Sequence, residues 1–196
     1  PVETWQPMVS STQRAMDFMA KHGIKGVIGG GAAAGGANHD VIVRWRDTLA
    51  RHGRETELGG DLIITYATFL ADSEKKAAVE ANPYFEEYLK MFGPLGFVPL
   101  SQEQIEAMAD PRRARSAGLP TLETGIKAGA WLCGPPELVK EKILAIQETY
   151  PGLEEINVGP PAGGVPENVC LEQLEWFGKE VMPSFKSQVK EAAFAD

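Results

Sequence analysis

Apolar positions along this chain alternate between short runs and helical spacings. Trp5 to Val9 is a short apolar stretch that runs into Ser10-Ser11-Thr12, a cluster suited to capping a helix. A strand followed by a helix is predicted. In that helix Ala15, Phe18, Met19 and His22 fall at i, i+3, i+4 and i+7, one apolar face, and Gly23 is placed to end it. The run Gly26-Val27-Ile28 then predicts a second strand, and it leads into the glycine-rich stretch 29–36. Asn38 or Asp40 can cap the next helix, in which Val41, Trp45 and Leu49 share a face and Gly53 closes the element.

Leu62 to Leu70 is rich in branched and aromatic residues and nearly continuous in apolarity, the pattern of a strand covered on both faces. Asp72 or Ser73 caps a helix through Ala77, Ala78 and Ala81, which Pro83 is expected to interrupt or restart. Tyr84, Phe85, Tyr88, Leu89 and Phe92 form the apolar face beyond it. From 93 to 130 the periodicity is poor, and the segment reads as an insertion with one short helix near Gln102 to Ala109. Trp131-Leu132-Cys133-Gly134 precedes a proline-started helix with Val139, Ile143, Ile146 and Tyr150 on one face. Glu155 to Gly159 is another short strand. A last helix carries Cys170, Leu174, Phe177 and Val181 in phase and is stopped by Pro183, ahead of a polar tail, 187–196.

Strands alternating with helices imply parallel pairing, because each helix serves as a crossover. Four principal strands are expected, near 5–9, 26–28, 62–70 and 155–158. Such a set makes an open four-stranded sheet or half of an eight-stranded barrel.

Composition narrows the partners. With 43% hydrophobic residues in 196, the chain can bury a core, and 19 basic against 27 acidic residues give a net charge of −8. That balance argues against nucleic acid and against a basic membrane-surface patch. No apolar run approaches the roughly 20 residues that cross a bilayer. Cys133 and Cys170 stand far apart with no metal-ligand spacing, so neither a disulfide scaffold nor a metal site is expected, and a reducing cytoplasm fits. A start at Pro1 rather than Met suits a processed protein or a piece of a longer one.

Chemistry is suggested at few places. Between a strand and a helix, the backbone N–H groups of Ser10, Ser11 and Thr12 point outward at the positive end of a helix dipole, with hydroxyls as further donors. A phosphate monoester suits that turn, although capping alone also explains the residues. Arg14 can add charge there. The glycines of 29–36 match neither a dinucleotide fingerprint nor a P-loop. They read as a loop at the C-terminal end of a strand, where Gly29 and Gly30 allow close backbone approach to a ligand. His22 and His52 are explained by packing and helix-end electrostatics, and His39 is the better catalytic candidate of the three. Trp5, Trp45, Trp131 and Trp176 read as packing residues. Arg112, Arg113 and Arg115 form a basic run that reads as a solvated face or an attractor of anions.

Three stretches taken in order resemble the flavin-dependent bacterial luciferase-like monooxygenases, a family of (β/α)8 barrels. They are Pro7-Met8-Val9-Ser10-Ser11-Thr12 through Ala15, Phe18, Ala20, His22 and Gly23; Leu132-Cys133-Gly134-Pro135-Pro136-Glu137-Leu138-Val139; and Glu155-Ile156-Asn157-Val158-Gly159 with the helix ending Val181-Met182-Pro183. The resemblance covers only the later half of a family barrel. It implies an α/β fold: residues 1–186 as a C-terminal half barrel of about four βα units, with the irregular insertion 93–130 helping to cover the active site, and 187–196 as a tail. It also implies reduced FMN as cofactor, supplied by a flavin reductase, with Ser11 and Thr12 at its phosphate and Ser10 in the turn before. Oxygen then oxygenates a small organic substrate. A complementary N-terminal half barrel or a second copy completes the structure, and because family catalytic groups lie largely in the other half, no catalytic residue is assigned. The alternatives are a deazaflavin-dependent oxidoreductase of the same family and a non-catalytic half barrel kept for binding or assembly.

Overall fold

The computed structural model describes residues 2–8, 12–29, 38–96, 98 and 100–185. Five strands pair in parallel in one sheet: β1 (Trp5–Pro7), β2 (Lys25–Gly29), β3 (Leu62–Leu70), β4 (Trp131–Gly134) and β5 (Glu155–Gly159). β4 is one strand more than the pattern predicts. The helices are α1 (Gln13–Lys21), α2 (His39–Arg51), α3 (Glu74–Phe92), α4 (Gln102–Met108), α5 (Pro111–Ala114), α6 (Leu122–Lys127), α7 (Pro136–Thr149) and α8 (Glu167–Trp176).

β2 pairs with Leu62–Thr65 of β3 and β5 pairs with Ile63–Ala67, so the two must occupy opposite edges of β3. With β1 beside β2, four strands therefore lie side by side in chain order without a reversal. β4 pairs with Ala67–Leu70, further along β3. The Asp61 carbonyl accepts from Gly26 of β2 and the Ala71 N–H donates to Gly134 of β4. Those positions are an even number of residues apart, so β4 takes the same edge as β2, beyond the point where β2 ends.

Right-handed crossovers between strands in unbroken order place their helices on one face of a sheet. The core shows this. Ile28, Leu62, Ile64, Tyr66 and Leu70 pack with Met16 and Met19 of α1, Ile42, Trp45 and Leu49 of α2, and Val139, Ile143 and Ile146 of α7. Each fully buried aliphatic side chain there contributes roughly 1.5–3 kcal/mol.

The alternate residues of β3 face the other way, and the expectation that both faces are covered along the strand is corrected here. Phe69 is buried with Cys133 against Ala77, Ala81 and Phe85 of α3 and Leu122 of α6. Ile63, Thr65 and Ala67 are only half-buried. Val27 pairs with Ile63 and shares that face. Helices thus cover one side of the sheet throughout and the other only at its C-terminal end.

Several local expectations change for identifiable reasons. α1 buries Met16, Met19 and Ala20, whereas Phe18 is 56% exposed and His22 is exposed beside it, their ring centroids 4.5 Å apart. An equally apolar face was available, and the packing chose the one with the two methionines. α3 runs unbroken through Pro83, with Ala77 and Ala81 buried before it and Phe85 and Leu89 after it. Ser73 caps α3 by accepting from the Lys76 N–H at 3.1 Å. The stretch 93–130 holds three short helices rather than one. α4 and α6 each open with a reciprocal capping box, Ser101 with Gln104 and Thr121 with Thr124. α8 passes into a π turn, Phe177–Val181, and a 3-10 turn, Met182–Phe185, so the phase expected of Cys170, Leu174, Phe177 and Val181 breaks. Leu174 is 50% exposed and Gln173 is buried instead. The tail 187–196 lies outside the described residues.

Among the described residues no helix is long and apolar enough to cross a membrane, and no group of side chains could hold a metal ion.

Candidate functional site

Strand register brings distant residues into rows across the partly bare face. Gly29 of β2, Thr65 of β3 and Asn157 of β5 form one row. The next row toward the C-terminal ends is Ala67 with Gly159 on one side and Trp131 on the other. Because side chains alternate along a strand, these rows face away from Ile28, Ile64 and Ile156, which meet the helix-covered core. Parallel sheets place ligands at this end, outside the carboxyl termini of the strands.

A cleft of about 320 Å³ occupies the position. Trp131 and Tyr88 of α3 form its aromatic wall, meeting edge to face with centroids 6.0 Å apart at 85°. Phe85 buttresses Trp131 from behind at 5.5 Å and 72°. Thr65 and Asn157 supply its floor with a hydroxyl and an amide. Space comes from the glycines: a Cβ built on Gly29 or Gly159 meets nothing within 4 Å. Burial pushes the Tyr88 hydroxyl above its ordinary value of 10.0, which keeps it a neutral phenol at physiological pH. Among the described residues, no acidic, basic or imidazole side chain lines this cleft.

Of the site residues expected from sequence, Gly29 lines the cleft, and its carbonyl accepts from Asn38 Nδ2 at 2.8 Å at the start of α2. Thr12 stands at the N-cap of α1 with extended backbone, φ −72° and ψ 142°, and its carbonyl accepts from Ala15 and Met16 at 3.1 and 3.2 Å. Its side chain makes no capping bond, and the first turn of α1 carries no acidic residue. Thr12 follows β1 and does not line the cleft. Ser10, Ser11 and Gly30 lie outside the described residues.

The histidines are engaged elsewhere. His39 opens α2, with Nδ1 3.1 Å from the Tyr150 hydroxyl. His52 Nε2 lies 3.1 Å from Asp17 Oδ1, and this contact holds the Asp17 carboxyl below its usual range. Arg112, Arg113 and Arg115 are exposed at α5 and do not line the cleft. Cys133 is fully buried, and desolvation pushes its thiol up to about 12.

Sequence reasoning did not assign Thr65, Tyr88, Trp131 and Asn157 to a site. The alternation within Leu62–Leu70 and within Ile156-Asn157-Val158 carried the signal for Thr65 and Asn157. Trp131 and Tyr88 looked like ordinary packing residues, which they also are.

No protein-family model matches this sequence, and a search of curated proteins finds no significant relative. Solved structures do match. A monooxygenase from Streptomyces bottropensis is 14% identical, with a TM-score of 0.61 over 93% of this chain and 48% of its own. The oxygenating constituent of 3,6-diketocamphane monooxygenase from Pseudomonas putida, solved in complex with FMN, is 22% identical, with a TM-score of 0.59 over 92% and 48%. The coenzyme F420-dependent tetrahydromethanopterin reductase from Methanopyrus kandleri is 13% identical, with a TM-score of 0.61 over 94% and 51%. At these identities the likeness is one of fold: this chain is an α/β protein with a parallel sheet, similar to a segment about half the length of each of those enzymes.

Proposed function

We propose that this chain is the C-terminal half of a (β/α)8 barrel oxidoreductase that works with a flavin-type cofactor. The observation that carries the reading is the set of four strands in unbroken order, with α1, α2 and α7 along one face and, on the other, helices only at the C-terminal end, beside a cleft. A barrel wall has this arrangement, whereas a doubly wound sheet reverses its order and carries helices on both faces. The fold likeness to an FMN complex and to F420-dependent enzymes supports a cofactor of this type. Monooxygenation with reduced FMN, delivered by a flavin reductase, is the first reading, and hydride transfer with F420 is the second.

The residues present fit such a group. The N-terminus of α1 offers the positive end of a helix dipole and carries no acidic residue in its first turn, which suits the phosphate. The neutral cleft with Trp131 and Tyr88 suits the substrate side of such a site. A reduced flavin or deazaflavin would supply the hydride or electron chemistry itself. The α1 turn would hold the phosphate, Trp131 and Tyr88 would keep water from the reacting face, and Thr65 and Asn157 would orient the substrate. Completion of the barrel requires further staves, from an N-terminal half-barrel polypeptide or a second copy, to cover Val27, Ile63 and their neighbours.

Fluorescence titration of the purified protein with FMN and with F420 tests this reading. Saturable binding of one of them is expected, weakened about three- to tenfold by Arg14→Glu, which sets a carboxylate in the first turn of α1. If neither binds, the cofactor reading fails and the non-catalytic assembly role takes its place.

A further inference from the structure

We propose that the cleft at the strand ends selects an uncharged, flat organic substrate bearing a carbonyl or similar acceptor, and rejects carboxylates, sulfonates and phosphates. The inference rests on the reading of the cleft as the substrate side of an oxidoreductase site, and goes beyond it by fixing the substrate's chemistry.

The cleft is walled by Trp131 and Tyr88, floored by Thr65 and Asn157, and opened by Gly29 and Gly159. An anion entering it would lose hydration and meet no cation among the described lining residues, and burying an unpaired charge is strongly unfavourable. The charges that do share this face of the sheet also oppose an anion. Glu155, exposed, pairs with Ile63 one row below Asn157 and so presents a carboxylate on the approach. Lys25 lies lower still, and its ammonium is already engaged by Glu3 at 2.8 Å, Glu154 at 3.4 Å and Asp61 at 3.8 Å. Its field is cancelled before it reaches the cleft.

The polar groups present are matched to a neutral acceptor. The amide of Asn157 and the hydroxyl of Thr65 each offer a donor, and the Tyr88 phenol keeps its proton. The aromatic wall formed by Trp131 and Tyr88 offers a surface against which a planar molecule can pack. Specificity would then come from the hydroxyl and amide donors and the aromatic wall rather than from charge.

Acetophenone and benzoate, flat ligands of similar size differing in charge, test this on the uniformly 15N-labelled chain. Acetophenone is expected to shift the Trp131 indole and Asn157 side-chain signals with a dissociation constant at least about tenfold below that of benzoate. Gly159→Leu should abolish the shift while leaving the thermal midpoint unchanged, because a side chain there projects into open space; Gly159→Ala should weaken it partially. Benzoate binding as well as acetophenone, retained binding in Gly159→Leu, or no response to either ligand at millimolar concentration would each overturn the proposal. FMN titration of the same sample separates the readings: FMN bound without acetophenone defeats the substrate class alone, and acetophenone bound without FMN defeats the cofactor assignment alone.

Discussion

Gly26 and Gly29 lie on the same strand and face opposite constraints. A Cβ on Gly26 would meet Met8 Sδ at 2.5 Å and Leu62 Cδ2 at 2.7 Å, inside the core. Gly26→Ala should therefore cost about 1–2 kcal/mol in urea unfolding, whereas Gly29→Ala should change stability by less than about 0.5 kcal/mol. Tyr66 is buried on the same face as Leu62, and its hydroxyl has no hydrogen-bond partner among the described residues. Desolvation raises its pKa well above the ordinary 10.0. The stability gained from keeping this phenol neutral is fully present below pH 10 and is lost as pH rises through the folded value. Tyr66→Phe should flatten that alkaline decline and match or exceed the parent by up to about 1 kcal/mol at pH 7, read from unfolding curves across pH 7–11. Cys133 follows the same logic chemically. At pH 8 iodoacetamide should modify the half-buried Cys170 and reach Cys133 only on unfolding, which peptide mass spectrometry would show. Sequence spacing indicated that both cysteines are unpaired; the difference in their burial depends on which helix covers which strand, and spacing does not contain that.

At the scale of elements, β3 outruns its neighbour β5, and Gln173 of α8 fills the gap. Its Nε2 donates to the Leu70 carbonyl at 3.0 Å, and its Oε1 accepts from the Leu70 N–H at 2.6 Å. One side-chain amide thus reproduces the pairing of an absent strand residue. Gln173→Leu would leave two buried backbone groups unpaired and should destabilise by about 2–4 kcal/mol, with amide exchange at Leu70 accelerated ahead of the rest of β3. The helix starts were the readable part of these elements, because a cap is a local feature: the sequence narrowed the start of α3 to Asp72 or Ser73, and Ser73 is the cap. The phase of the last helix was not, since the π turn over Phe177–Val181 shifts it by a residue and no local signal marks that turn. β4 escaped notice for a related reason. Four residues, all buried, carry no alternation to read.

For the whole molecule, the beat of strands and helices was legible, and it correctly implied a parallel sheet. Which edge of β3 each neighbour takes, and which face the helices leave partly bare, were not, because neither is contained in the spacing of residues along the chain. The cleft was hidden for the same reason: Gly29, Thr65, Trp131 and Asn157 meet only through register across strands far apart in sequence. The resemblance to flavin-dependent barrels supplied the half-barrel expectation, and the match to about half the length of an enzyme solved with FMN and of an F420-dependent one is consistent with it. Among the described residues, Val27 and Ile63 are only half-buried on a face of the sheet that helices leave partly bare, the surface that the proposed partner would cover. Sedimentation velocity of the 196-residue chain and its Ile63→Glu variant tests this claim most directly. The account predicts concentration-dependent association of the parent above 21.2 kDa and a monomer of unchanged helix content for the variant. A parent that stays monomeric at every concentration, or a variant that associates equally well, would contradict it.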